Sequence, residues 1–247
     1  MKNLQILILG AGRGSRMKPL TDSQPKPLLQ LHQENILERL IKQISENFVN
    51  FDLYVNTSYL ALEIAGFITQ LPLELRPRLI WEEIPSGSAV TVIRFASSIE
   101  SSAILVIHGD LVLSNFGMQE LAKFFSDESS SIVVAHRRKR SQARSILQTS
   151  GSIVDSIMEI KGEQAPLLGE DSVLVNSGIY YLRTEDLRQL KLPAIGTDVS
   201  PFLINELILR GLLQYREWKW PRISVDSHEA YLAGVTLSTE DPISWPE

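Results

Sequence analysis

The chain has 247 residues, of which 44% are hydrophobic, and a formal net charge of -5 at pH 7. This length and composition allow a substantial hydrophobic core. The acidic balance gives no general reason to expect a nucleic acid partner, so an anionic ligand has to meet a local cluster of cations. The chain has no cysteine, which excludes disulfides, thiolate metal sites and a cysteine nucleophile, and fits a reducing compartment.

The first apolar run is short and leads into a glycine-rich loop. It lacks the small-residue cleavage site of a secretory leader, so we expect a core strand there. No segment reaches the roughly 18 to 20 apolar residues that a membrane-spanning helix needs. We therefore expect a cytoplasmic protein without a membrane partner.

Short apolar runs alternate with segments whose apolar residues recur at spacings of three and four. The runs predict strands at 4–10, 51–57, 78–83, 102–110, 130–137 and 175–182. The amphipathic segments predict helices at 35–48, 59–71, 88–99 and 117–127. This alternation predicts βαβ units, and therefore a single-domain, Rossmann-like α/β fold with a mainly parallel sheet flanked by helices.

Beyond residue 136 the pattern is less regular. The basic run at 137–144 has no interleaved aromatic residues, which favours a solvated loop over a nucleic-acid site. Residues 199–211 have the pattern of a helix. Trp218 and Trp220 alternate as in an edge strand packing on the sheet.

Three glycines within five residues follow the first strand, in the sequence LGAGRGSR at 9–16. One glycine is enough for a turn, whereas Gly10, Gly12 and Gly14 together let backbone N–H groups approach phosphate oxygens. A dinucleotide-binding loop would have its third glycine where Ser15 stands, and no Gly-Lys-Ser/Thr sequence completes a P-loop. The loop therefore indicates phosphate binding of another class.

Two cations follow the glycines. Arg16 offers a planar fork for phosphate oxygens, and Lys26 offers a compact point charge. Lys26 stands between Pro25 and Pro27, which stiffen the backbone on both sides of it. We interpret the segment as a rigid binding site for a triphosphate.

The sequence LGAGRGSRMKPLTDSQPKPLL (9–29) closely resembles the signature of the sugar-1-phosphate nucleotidyltransferases. The likeness continues at EEIPSGSA (82–89), which is similar to that family's nucleobase loop, with Ser88 in place of threonine. It continues at VIHGDLVLS (106–114) and at VNSGIYYL (175–182), which is similar to the family's Asn-x-Gly-Ile-Tyr segment. The resemblance covers most of the chain and is strongest in its first 110 residues.

This resemblance implies the nucleotide-diphospho-sugar transferase fold and a reaction between a nucleoside triphosphate and a sugar 1-phosphate, which yields pyrophosphate and an NDP-sugar. Residues up to about 135 would form a nucleotide-binding half of the domain spanning 1–247, and residues 136–247 a sugar-phosphate-binding half. Arg16, Lys26 and Asp110 would be catalytic. The nucleotide-binding residues would be Leu9, Gly10, Ala11, Gly12, Gly14, Arg16, Glu82, Gly87 and Ser88. The sugar-phosphate-binding residues would be Glu159, Lys161, Asn176 and Gly178, and Mg²⁺ would be held by Asp110 and Asp226.

The C-terminal half departs from the family pattern. The usual Asp-Ile-Gly-Thr-Pro signature is VDSHEAY at 225–231, so Asp226 is either a metal ligand or the N-cap of the helix that follows. At 158–163 the sequence MEIKGE lacks the family's proline, which leaves the register of Glu159 and Lys161 open by one residue. The sequence does not indicate the sugar or the oligomeric state.

Three functions follow from these patterns. The first is a sugar-1-phosphate nucleotidyltransferase similar to mannose-1-phosphate guanylyltransferase. The preference for GTP rests on a carboxylate that accepts two adjacent N–H donors of guanine, from Glu82 or from its neighbour Glu83. The alternatives are a phosphocholine-type cytidylyltransferase, because its relatives have a similar Asp-Ser ending, and a catalytically silent subunit that senses NDP-sugars.

Overall fold

The chain is described here by a computed structural model that covers residues 3–125, 129–143, 145–160 and 171–239. Its strands are β1 (Leu4–Leu9), β2 (Phe51–Thr57), β3 (Arg78–Trp81), β4 (Ala103–His108), β5 (Leu111–Leu113), β6 (Ser131–Lys139), β7 (Ser145–Ser150), β8 (Ile153–Glu159), β9 (Ser172–Arg183), β10 (Leu213–Trp218) and β11 (Arg222–Ser224). Its helices are α1 (Ile36–Asn47), α2 (Ala61–Gln70), α3 (Ser88–Ser98), α4 (Asn115–Phe124), α5 (Thr184–Arg188), α6 (Ile204–Leu209) and α7 (His228–Thr239).

Nine strands form one sheet in the order β3-β2-β1-β4-β9-β6-β10-β8-β7. Strands β3, β2, β1 and β4 are parallel, and β9 is antiparallel to both β4 and β6. Strand β6 therefore runs in the same direction as β4, and β10 is parallel to β6. Strand β8 is antiparallel to β10 and β7 is antiparallel to β8, so seven of the nine strands share one direction. The predicted mainly parallel sheet is confirmed, and the carboxyl ends of these strands lie at one edge, where α/β proteins bind ligands.

Helices cover both faces of this sheet, as the alternation of apolar runs predicted. Successive residues of a strand point to opposite faces, so Ile6 and Ile8 of β1 join one buried cluster while Leu7 joins the other. The first cluster includes Ile36 of α1, and the second includes Ala89 of α3. A buried strand flanked on both faces reads as a continuous apolar run, which is the pattern of ILIL in β1.

Two predictions for the second half of the chain were wrong. Strand β10 lies between β6 and β8 instead of at an edge, and of the two tryptophans only Trp218 belongs to it. The helix expected over 199–211 is interrupted at Ser200 (φ -102°, ψ 123°), and regular α-helix is confined to α6. Ser200 precedes a proline, whose ring disfavours the helical conformation in the residue before it.

A two-stranded antiparallel ribbon, β5 with β11, stands beside the main sheet and joins distant parts of the sequence. It pairs Ser224 with Leu111, which lies three residues beyond the carboxyl end of β4. In the part of the chain covered by the structure, none of the helices combines the length and the apolar character that crossing a membrane requires.

Candidate active site

A cavity of about 1820 Å³ opens at the carboxyl edge of the sheet. Pockets for one drug-sized ligand have about 300–1,000 Å³, so this cavity has room for two substrates. Every predicted site residue that the structure describes lines it: Leu9, Gly10, Ala11, Gly12, Gly14, Arg16, Lys26, Glu82, Gly87, Ser88, Asp110, Glu159, Asn176, Gly178 and Asp226. Lys161 lies outside the described residues.

The glycine loop is held from both sides by polar side chains that sequence reasoning missed. The Gly10 N–H donates to Asn56 Oδ1 (2.8 Å), at the end of β2. Thr21 Oγ1 donates to the carbonyl of Gly14 (2.8 Å), whose φ of +62° only glycine adopts readily. An asparagine directly after the apolar residues Leu53, Tyr54 and Val55 was the one sequence signal that could have identified Asn56. These contacts fix the loop without using the remaining N–H groups that a phosphate would need.

Lys26 and Asp110 form an ion pair across the cavity wall. Lys26 Nζ lies 2.6 Å from Asp110 Oδ2, and the two side chains are only 13% and 20% exposed. Burial opposes ionisation of Asp110, but the charge and hydrogen bond of Lys26 outweigh it and hold the pKa of Asp110 below its usual value. The prolines beside Lys26 therefore direct its ammonium group to this carboxylate.

Asp226 reaches the same place through the β5–β11 ribbon. Asp110 immediately precedes β5, and its carbonyl accepts the N–H of Val225 (2.9 Å), so Asp226 is one residue away along the partner strand. The backbone positions of the two aspartates are therefore close to each other. Ser227 Oγ accepts the Ala230 N–H (3.1 Å) as the cap of α7, so Asp226 does not have that role.

The two aspartates have the properties of a Mg²⁺ site. Within the described residues, Asp110 Oδ1 is buried without a hydrogen-bond partner. The Asp226 side chain is about one-third exposed and is bonded to Arg16 (3.4 Å). No set of three or more histidine, aspartate or glutamate side chains in the described residues could enclose a metal ion. Mg²⁺ commonly uses one or two carboxylates together with water and substrate oxygens, so this pair fits it.

Glu82 has no free acceptor site for a nucleobase. Its Oε1 accepts hydrogen bonds from Asn56 Nδ2 (3.1 Å) and from the Thr91 hydroxyl. Its Oε2 accepts from the N–H (2.9 Å) and the hydroxyl (3.0 Å) of Ser86. Four donors fill the acceptor capacity of a carboxylate. Glu82 therefore holds the 82–88 loop in shape, and its neighbour Glu83 is exposed and is not part of the cavity lining.

The start of α3 packs tightly against the segment before α6. Gly87 has φ +89°, and a Cβ added to it would lie 2.5 Å from the backbone N and O of Thr197. Ser88 Oγ donates to Asp198 (3.1 Å) and accepts the Val199 N–H (2.9 Å). These contacts join the predicted base loop to the second half of the chain.

The predicted sugar-phosphate residues line the opposite part of the cavity. Asn176 donates to the Tyr180 hydroxyl (2.8 Å) and accepts the Gly178 N–H (2.9 Å), which orients both of its polar groups. Glu159 accepts a hydrogen bond from the Ser200 hydroxyl. Gly178 has φ +76° and lies against the His108 ring.

Sequence reasoning missed two further polar groups in the cavity, on His108 and Arg222. Five buried side-chain atoms of the described residues lack a hydrogen-bond partner, and three of them line this cavity: Asp110 Oδ1, His108 Nε2 and Arg222 Nε. Burial lowers the pKa of His108. Unpartnered buried polar atoms are rare in folded proteins, and their concentration here indicates a ligand site.

Comparison with known proteins agrees with this geometry. The family model described as "Nucleotidyl transferase" matches residues 5–216. The chain is 25% identical over 237 residues to the bifunctional protein GlmU of Methanococcus aeolicus, covering 91% of this chain and 54% of that protein. It is 27% identical over 242 residues to mannose-1-phosphate guanyltransferase 2 of Candida glabrata, covering 94% of this chain and 63% of that protein.

Among solved structures, HddC from Yersinia pseudotuberculosis complexed with GMP-PN superimposes with a TM-score of 0.75 at 21% identity. The match covers 94% of this chain and 98% of that one, and it supports the nucleotide-diphospho-sugar transferase fold. The chain spans about half the length of the curated relatives it matches first. The extent of the family match confirms the resemblance found in the sequence: the chain belongs to the nucleotidyl transferase family.

Proposed function

We propose that the chain transfers a nucleoside monophosphate from a nucleoside triphosphate to a sugar 1-phosphate. An oxygen of the sugar phosphate attacks the α-phosphorus of the triphosphate, and the bond from that phosphorus to the bridging oxygen breaks. The products are an NDP-sugar and pyrophosphate. Because the acceptor supplies the nucleophile, the protein mainly has to position two anions and neutralise their charge.

The observation that carries the proposal is the position of Lys26, Asp110 and Asp226 beside the glycine loop. The loop offers backbone N–H groups to a triphosphate, and Lys26 and Arg16 offer positive charge within the same cavity. We assign the part lined by the glycine loop and residues 82–88 to the nucleotide, and the part lined by Glu159, Asn176 and Gly178 to the sugar phosphate. This assignment places the reacting phosphates at the Lys26–Asp110 pair.

Members of the family generally depend on a divalent metal ion. We propose that Asp110 and Asp226 hold Mg²⁺ in this chain. A bound Mg²⁺ neutralises phosphate charge and polarises the phosphorus–oxygen bonds. Lys26 lies beside this site and would contribute its positive charge to the reacting phosphates.

We propose GTP as the preferred nucleotide. The proposal draws support from a relative named as a guanyltransferase and from the GMP-PN bound to the similar HddC structure. The carboxylate of Glu82 no longer supports it, because all its acceptor sites are filled within the loop. A base would have to be recognised by backbone groups of the loops that Glu82 shapes.

A pyrophosphate-release screen tests the function directly. ATP, CTP, GTP, UTP and dTTP are each combined with a panel of sugar 1-phosphates and with phosphocholine, with and without Mg²⁺. We expect release that needs an NTP, a sugar 1-phosphate and Mg²⁺ together, and that is absent in Lys26→Ala. Release with CTP and phosphocholine alone would favour the cytidylyltransferase alternative.

Two further outcomes decide between the remaining readings. Binding of an NDP-sugar without any release by the wild-type protein would favour a silent sensing subunit. UTP or dTTP outperforming GTP by about an order of magnitude would contradict the guanine preference but leave the transferase proposal standing.

A further inference from the structure

Arg222 is a mostly buried cation in the cavity wall that has no role so far in the proposed reaction. It is the first residue of β11, and its Nε is buried without a hydrogen-bond partner in the described parts of the chain. Burial lowers its pKa to about 10, so the guanidinium keeps its charge at neutral pH. A buried charge is costly unless an opposite charge compensates it.

The carboxylates near Arg222 are already paired with other cations. Asp110 bonds to Lys26 (2.6 Å) and Asp226 to Arg16 (3.4 Å). Within the described residues, no carboxylate oxygen lies within ion-pair distance of Arg222 itself, although both aspartates attract it from farther away. The guanidinium is therefore a surplus positive charge in this wall.

The neighbour that Arg222 touches carries no charge. Arg222 Nη1 lies 3.1 Å from Nδ1 and 3.0 Å from Nε2 of His136, so it sits against the ring instead of sharing one in-plane hydrogen bond. Burial, with Arg222 and Arg138, lowers the pKa of His136 to about 2, and the ring is neutral. His136 Nδ1 lies 3.1 Å from Ser177 Oγ, which holds the ring in place.

Arg222 is also close to the reacting centre. Ser224, two residues along β11, places its hydroxyl 3.4 Å from Asp110 Oδ2. Side chains two residues apart in a strand lie on the same face, and both residues line the cavity, so Arg222 is next to the proposed metal site. Its neighbour His136, and Ser177 beside that ring, belong to the half of the chain that we assign to the sugar phosphate.

We infer that Arg222 binds the phosphate of the acceptor substrate. The inference rests on the proposed transferase function and adds a residue to it that the family signature did not indicate. A guanidinium presents two parallel N–H groups to phosphate oxygens, and its free Nε belongs to that fork. The triphosphate has Lys26, Arg16 and the glycine loop. The cation predicted for the acceptor phosphate, Lys161, lies outside the described residues, and Arg222 supplies one within them.

Steady-state kinetics of Arg222→Gln test the inference, using the NTP and the sugar 1-phosphate identified in the screen. We expect KM for the sugar 1-phosphate to rise about tenfold to a hundredfold, as for a lost charged hydrogen bond, while KM for the NTP changes less than about twofold. Arg222→Lys keeps the positive charge but lacks the two parallel N–H groups of the guanidinium, so KM for the sugar 1-phosphate should rise less than in Arg222→Gln. Arg210→Gln removes an exposed arginine directly after α6 and is the control for the loss of one positive charge.

A purely structural role of Arg222 would lower the melting temperature or affect both KM values together. An unchanged KM for the acceptor in both Arg222→Gln and Arg222→Lys overturns the inference while the wild-type activity still supports the proposed function. A wild-type protein that releases no pyrophosphate contradicts the proposed function instead. In that case thermal stabilisation by inorganic phosphate still tests the binding residue: Arg222→Gln should lose part of it, and equal stabilisation of both proteins overturns the inference.

Discussion

Lys26 Nζ and Asp110 Oδ2 lie 2.6 Å apart in a pair that is largely removed from solvent. The pair joins the proline-flanked segment after the glycine loop to the residue that follows β4. Each charge offsets the cost of burying the other. Each also has a second proposed role, Lys26 at the substrate phosphates and Asp110 as a Mg²⁺ ligand. Stability and activity can therefore be separated at this site by changing the two residues singly and together.

Lys26→Ala should lower turnover by about a hundredfold or more, because a positioned cation that stabilises phosphate charge is lost. It should also destabilise the protein by about 1–3 kcal/mol, since the Asp110 charge loses its hydrogen-bonded partner. The double variant Lys26→Ala/Asp110→Asn should regain part of the stability and none of the turnover. Chemical denaturation and steady-state rates of the wild type, both single variants and the double variant measure these effects. Near-normal turnover of Lys26→Ala would contradict the assignment of Lys26 to the reacting phosphates.

Asp226→Asn should cost about a hundredfold in rate at limiting Mg²⁺, because the anion that attracts the metal is gone. Its stability should change by less than about 0.5 kcal/mol, since the exposed pair with Arg16 contributes little. Ser227→Ala is the reciprocal control: losing the cap of α7 should cost about 1 kcal/mol and leave the Mg²⁺ dependence unchanged. Wild-type rates across a Mg²⁺ titration in Asp226→Asn would contradict its assignment as a ligand.

Gly87→Ala should destabilise the protein by more than about 2 kcal/mol and raise KM for the NTP. The new Cβ would collide with the backbone of Thr197, and alanine disfavours a φ of +89°. Gly66→Ala is the matched control, because Gly66 is exposed within α2 and an added Cβ meets no atom within 4 Å. That change should be neutral or stabilise by up to about 1 kcal/mol. Equal melting temperatures of the two variants would contradict the prediction.

His136 should make the free energy of unfolding fall as the pH is lowered. Its pKa of about 2 in the folded protein is below the ordinary value of 6.5, so between these values only the unfolded chain takes up the proton. The stabilisation that comes from keeping His136 neutral is complete above about pH 6.5. Below that pH, acidification lowers the free energy of unfolding by up to about 1.4 kcal/mol per pH unit.

His136→Asn should therefore show a shallower loss of stability than the wild-type protein between about pH 7 and pH 5. The slope should not vanish, because the lowered pKa of His108 acts with the same sign. His32→Asn, which replaces an exposed histidine, is the matched control for the substitution itself. Denaturant unfolding at three pH values measures the effect, and parallel curves for the wild type and His136→Asn would show that His136 is accessible to protons in the folded state.

The sequence analysis predicted the elements whose signals are local. Glycines, prolines and an apolar run lie next to one another around the first loop, so their chemistry can be read without knowledge of the fold. The alternation of strands and helices in the first half likewise determined the sheet and its two helical layers. The interrupted helix at Ser200 was missed because the apolar spacing was given more weight than the proline that follows.

The parts of the site that depend on distant pairing could not be predicted in the same way. The neighbouring positions of Asp110 and Asp226 follow from the β5–β11 ribbon, which joins residues more than a hundred positions apart. The carboxylate of Glu82 accepts hydrogen bonds from Ser86 in its loop and from Thr91 in α3. It therefore shapes the loop, whereas the sequence suggested that it binds the nucleobase. Arg222 is a single arginine after a proline, and only the fold brings it to the cavity.

Strand β9 lies between β4 and β6, although it comes late in the sequence. During synthesis, the parallel strands β1 to β4 are complete before residue 110, yet the edge of β4 stays unpaired until residues up to 183 have been made. An apolar strand with an open edge is a template for pairing with other chains. The first half of this protein is therefore expected to aggregate when expressed alone, and truncation anywhere before Arg183 should send the product to inclusion bodies instead of yielding a smaller nucleotide-binding protein.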